Sequence, residues 1–156
     1  MIIEHQTLEM WRLLSYRAKM TQQELNLKSQ EIAKLLEQSG AKKTGGAVTG
    51  TFSVEQGPNG PLMDVEILIP LDRDIPVPAG YTWKPHFLLT NALLAKHHGN
   101  PATLQSTANE LNAYMAEHQL VPITVGYNVT VKEAKTPAEL DDMEVDIYVG
   151  VSPNIL

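Results

Sequence analysis

The sequence predicts an α+β domain: antiparallel sheet and two main helices, arranged as two β-α-β-β halves. Three observations carry this. First, Asp64-Val65-Glu66-Ile67-Leu68-Ile69-Pro70-Leu71 and Glu144-Val145-Asp146-Ile147-Tyr148-Val149-Gly150-Val151 match acidic to acidic and apolar to apolar, at an offset of 144 − 64 = 80. Second, the same offset sets a helix start at Thr21 against Pro101, and a strand at 11–17 against one at 91–97. Third, 156 residues with 43% hydrophobic content are enough for one domain with its own core. The expected organisation is one compact domain over 1–156, with half-repeats at about 5–72 and 81–153 and a pseudo-two-fold axis.

The elements follow from local chemistry. Thr21 is an N-cap candidate with Glu24 three residues on, as in a capping box. Leu25, Ile32, Leu35 and Leu36 then recur at helical spacing, and Ser39-Gly40 stops the helix. Val48 to Val54 reads as a strand that resembles 123–131, and Gly57-Pro58-Asn59-Gly60 as a hairpin turn after it. Val65, Ile67 and Ile69 should pack inward, with Asp64, Glu66 and Leu68 on the other face. Residues 72–80, with Pro76, Pro78 and Gly80, suit an extended connector between the halves. Asn100 caps a second helix with Pro101 at its first position and Leu104, Ala108, Leu111 and Met115 as its apolar stripe. Ile123, Val125, Tyr127, Val129 and Val131 alternate as one strand face, which places Tyr127 in the core. Val145, Ile147, Val149 and Val151 should lie beneath a helix, so Glu144, Asp146 and Tyr148 point the opposite way.

Composition narrows the function. Lys+Arg is 12 against Asp+Glu 18, a net charge of −6 that argues against direct nucleic-acid binding and anionic membrane. The absence of cysteine removes disulfides, thiolate metal sites and cysteine nucleophiles, and fits a cytoplasmic protein. No run approaches the ~20 apolar residues that cross a bilayer. Gly45-Gly46 lacks the Gly-Lys-Ser/Thr ending of a phosphate loop, and no Gly-x-Ser-x-Gly elbow is present. His97 and His98 are adjacent and should point to opposite faces, so they do not chelate one metal ion. His98 is expected to shape the turn into the second helix. His86 and His118 read as isolated surface or rim residues. No cofactor or metal is expected.

Four segments together resemble GyrI-like effector-binding domains, the SOUL-like superfamily found in AraC-type bacterial transcription regulators. They are His97-His98-Gly99-Asn100-Pro101, the helix ending near Leu120-Val121-Pro122, the closing Asp146-Ile147-Tyr148-Val149-Gly150-Val151, and the connector from Ile75 to Gly80 leading into Tyr81 and Trp83. The resemblance covers about 5–153 and implies two halves around a cleft, in a free-standing member without a helix-turn-helix module. It also implies an acidic residue on the last strand that attracts cationic aromatic ligands, at the position of Asp146. Two departures stand out: Asp146 replaces the usual Glu, and Gly150 replaces the usual Pro.

The candidate ligand-binding residues are therefore Asp146, Tyr148, Glu66, Trp11 and Trp83. Asp146 would supply charge. Trp11, Trp83 and Tyr148 would supply stacking surface and cation–π attraction of roughly 0.5–2 kcal/mol. Glu66 is the equivalent of Asp146 in the first half. The alternative for both carboxylates is a solvated acidic strand face, which Glu144 beside Asp146 supports. The function expected is binding of an amphipathic, aromatic or cationic small molecule. One rival is a protein-partner module acting on a gyrase, toxin or secreted effector. Another is a hydrolase of strained electrophiles, with the balance against an enzyme.

Overall fold

The computed structural model describes residues 1–152. Pro153, which ends the second half-repeat, lies outside the described residues. The main elements are β1 (Ile2–Met20), α1 (Gln22–Ser39), β2 (Val48–Gly57), β3 (Gly60–Pro70), β4 (Thr82–His98), α2 (Leu104–Glu117), β5 (Tyr127–Lys132) and β6 (Glu144–Gly150). This is the α+β class, with six strands in antiparallel pairings and two main helices. No described helix is long and apolar enough to cross a membrane.

The chain forms two compact units. One is continuous, Met10–Phe87; the other combines Met1–Glu9 with the chain from Leu88 onward. Both first strands of the repeat are longer than the sequence reading, β1 reaching back to Ile2 and β4 to Thr82. Each is thereby shared between the two units.

In the continuous unit, α1 begins at the expected capping box: Thr21 Oγ1 accepts from the Glu24 N–H, and Glu24 Oε1 accepts from the Thr21 N–H. It ends at Gly40, whose φ of 76° is the left-handed conformation that glycine adopts without Cβ strain. Ile32 and Leu36 are buried with Leu14, Val65, Ile67, Ile69 and Leu71. The hairpin β2–β3 turns as expected through Gly57 paired with Gly60. Thr21→Ala is expected to cost about 1 kcal/mol. Urea unfolding would show this as a lower midpoint with an unchanged slope.

In the other unit, Leu111 and Met115 of α2 pack with Leu93, Ala95, Ile147, Val149 and Val151. Asn100 does cap, accepting from the Ala102 N–H, but residues 101–103 form a tighter 3₁₀ turn before α2 starts at Leu104. The strand expected at 123–131 starts at Tyr127. Thr124 interrupts the ladder: its hydroxyl donates to the Val125 carbonyl and accepts from the Gly150 N–H. Ile123 and Val131 are exposed, so the apolar alternation does not mark a core face.

The duplication is legible in backbone bonds. Leu71 N–H donates to Arg12 O, and Val151 N–H to Asn91 O. Asp72 N–H donates to Lys42 O, and Ser152 N–H to Val121 O. The carbonyl partners differ by 91 − 12 = 79 and 121 − 42 = 79, one less than the offset of 80 between β3 and β6. Arg12 and Asn91 both carry positive φ, 54° and 50°. A repeated left-handed residue in each long strand is therefore part of the architecture. Thr21 and Asn100, the two caps, also match at 100 − 21 = 79 rather than Thr21 with Pro101.

Candidate functional site

Glu66 and Asp146 occupy equivalent places on β3 and β6. Glu66 pairs with Arg17 on β1 and Gly50 on β2. Asp146 pairs with Lys96 on β4 and Val129 on β5. Both lie on the strand face opposite the residues that pack under a helix, as period-2 alternation requires.

Their surroundings differ. Glu66 is 6% exposed, not a wet edge. Its Oε2 accepts from the Ser15 hydroxyl at 2.6 Å and from the Lys84 ammonium at 2.6 Å. Arg17, directly across from Glu66, turns instead to Asp64 in a bidentate pair at 3.0 Å and lies 3.8 Å over the Phe52 ring. Asp146 is half-buried, and among the described residues no hydrogen bond or ion pair reaches its carboxylate. Burial pushes its carboxyl above the usual range, against the opposing pull of Lys96 and with Glu144 adding to the rise. Burial also raises the Tyr148 phenol, and the Asp146 charge adds to it.

The structure brings a further residue to Asp146. Tyr127 stands directly across from Tyr148. Cross-strand partners share a face, so Tyr127, half-buried, lies on the Asp146 side and not among the residues that pack with α2. Gly126 confirms the orientation, since a Cβ there would meet Ile147 and Val149 on the opposite side. Asp146, Tyr148, Tyr127 and Val129 thus form one strand surface: a desolvated carboxylate beside two phenol rings.

The remaining candidates sit in the continuous unit. Trp11 is 53% exposed and stacks on His86 with ring centroids 3.9 Å apart. Trp83 is partly buried against the core of that unit. His86 is thus a stacking partner, not an isolated surface residue, and so is His118, stacked on Tyr114 at 4.0 Å. His97, not His98, ties the turn into α2. Its buried ring takes the Thr107 hydroxyl at Nδ1 and donates from Nε2 to Asn100 O. An open surface hollow of about 650 Å³ near Thr21, Gln22, Asn59 and Met63 contains none of these residues. The α1 N-terminus that borders it is already capped by Thr21 and Glu24.

No family model and no curated protein sequence matches the chain. Solved structures do match. The EcmrR C-terminal domain superposes with a TM-score of 0.74 at 12% identity, covering 95% of this chain and 98% of that domain. The α+β fold, with its six antiparallel strands and two main helices, is consistent with the GyrI-like fold. In the EcmrR–DNA complex the TM-score is 0.76 at 13% identity; 96% of this chain is covered, and it spans 57% of EcmrR. A hydrolase from Listeria innocua gives 0.59 at 12% identity, covering 97% of this chain and 91% of that one. SAV2435 bound to tetraphenylphosphonium gives 0.52 at 12% identity, covering 97% and 95%. At these identities the GyrI-like likeness is one of fold.

Proposed function

We propose that this chain binds a small amphipathic cation, with aromatic groups, at the Asp146 surface. The observation that carries this reading is a half-buried carboxylate that has no hydrogen-bonded or ionic partner among the described residues, with Tyr148 and Tyr127 on its own strand face. A carboxylate already stripped of part of its water gives up little more hydration when a diffuse cation arrives. The phenol rings add cation–π attraction, worth roughly 0.5–2 kcal/mol. The tetraphenylphosphonium held by SAV2435 belongs to this ligand class, which supports its choice as the first probe. Trp11, Trp83 and Glu66 stay secondary: His86 covers one face of Trp11, Trp83 packs on the core, and Glu66 already holds Lys84.

The test is a thermal-shift and calorimetric titration with tetraphenylphosphonium on wild type and Asp146→Asn. Wild type is expected to bind, and Asp146→Asn to bind about tenfold more weakly, a loss of about 1.4 kcal/mol. The sign of the pKa shift supplies a control. The folded-state pKa of Asp146 is raised, so the charged form opposes folding at neutral pH, and this penalty disappears as pH falls through the raised value. Ligand-free Asp146→Asn should therefore be no less stable than wild type at pH 7. Phosphonium affinity should fall in acid as Asp146 takes up a proton. Equal binding by both proteins would reject the reading.

The raised proton affinity of Asp146 also favours a second reading, general acid–base hydrolysis of a strained electrophile. It predicts turnover that Asp146→Asn abolishes.

A further inference from the structure

We propose that Glu66 is a binding site for linear primary ammonium groups, held closed in the free chain by Lys84. The site lies within the continuous unit and stands apart from the Asp146 reading.

Glu66 Oε2 receives two donors, each at 2.6 Å: the Ser15 hydroxyl and the Lys84 ammonium. Their exposures differ sharply. Ser15 is 2% exposed. The Lys84 side chain is 39% exposed against 8% for that of Glu66. Its stem therefore runs from solvent to a buried carboxylate. A lysine side chain is a butylammonium on a tether, so the space that it fills is shaped for an unbranched alkyl chain ending in –NH₃⁺.

The neighbours reinforce this selectivity. Gly50, across from Glu66 on β2, brings no side chain to the place. Arg17, across on β1, is committed to Asp64. A contact at 2.6 Å needs an N–H donor, which a quaternary ammonium lacks. The equivalent surface at Asp146 has Leu94 where Glu66 has Ser15 (94 − 15 = 79), so it offers no such hydroxyl. The two carboxylates thus suit different cations: a bulky diffuse one at Asp146, and a linear mono-, di- or polyamine at Glu66. Lys84 competes as a tethered ligand, so wild type should respond to a free amine less than Lys84→Ala does.

The experiment is thermal unfolding of the full chain carrying Lys84→Ala, with n-butylammonium chloride, tetramethylammonium chloride and sodium chloride at equal ionic strength. Lys84→Ala should unfold below wild type. n-Butylammonium should restore it saturably, by about 4 °C at tenfold above half-saturation, and the other two salts should not. Glu66→Gln/Lys84→Ala should show no such preference. Lys84→Ala responding alike to all three salts, or an equal n-butylammonium effect in the double variant, would overturn the proposal. If Lys84→Ala does not fold, Lys84→Met keeps the apolar stem and leaves only the ammonium position open. Folding induced by methylammonium but not by tetramethylammonium then supports the site. Lys84→Met remaining unfolded at every amine concentration while Glu66→Gln/Lys84→Met folds overturns it. Asp146→Asn/Lys84→Ala should retain the butylammonium response, so failure of the phosphonium reading and failure of this one are separable.

Discussion

Gly150→Pro should destabilise the protein by about 2–4 kcal/mol, although the equivalent residue of this chain's other repeat is Pro70. Two losses combine. A Cβ at position 150 would lie 2.8 Å from Leu89 Cδ1 and 3.0 Å from Thr124 Cγ2. Overpacking of this kind costs typically about 1–3 kcal/mol. The substitution also removes the N–H that donates to Thr124 Oγ1 at 2.9 Å, worth about 1 kcal/mol. Gly150→Ala keeps the N–H and should show the first loss alone. Urea midpoints of the two variants against wild type separate the contributions. The Thr124 hydroxyl thus takes the Gly150 N–H that a proline at this position would lack.

Leu93→Ala should cost about 2–5 kcal/mol, the lost transfer energy plus that of the cavity left behind. Leu93 is 1% exposed, on β4 across from Val149, in the cluster with Leu111 and Met115. Leu88→Ala on the same strand is the control. Leu88 is 51% exposed, so its truncation should change stability by about 0.5 kcal/mol or less. A similar midpoint shift for both variants would mean that the second core does not limit stability.

Signals with a short-range cause were legible in the sequence. The Thr21–Glu24 box, the Gly40 stop, the Gly57–Gly60 turn and the inward faces of β3 and β6 all rest on neighbours within a few residues or on strict alternation. Alternation fixes which residues share a face but not which face is covered. Tyr127 shows the limit: its strand is apolar on the Asp146 side and small or polar, with Gly126, on the other, so alternation alone does not say which side faces the α2 cluster. The Lys84–Glu66 pair had no signal at all, because a single lysine on β4 says nothing about which carboxylate it meets. The offset of 79 between the long strands was hidden because low identity leaves Trp11 and Arg12 equally good matches to Asn91. The shared left-handed backbone of Arg12 and Asn91 resolves it.

The division of β1 and β4 between two units has a consequence during synthesis. Met10–Phe87 is an uninterrupted stretch, complete as soon as Phe87 leaves the ribosome. Its partner unit includes the first nine residues, Met1–Glu9, yet it also needs β6, which ends at Gly150. At about 5–20 residues per second, the stretch from Phe87 to Gly150 (150 − 87 = 63 residues) takes roughly 3–13 s to make. Over that interval the nascent chain carries one finished unit, while Met1–Glu9 still lacks the strands that complete its own.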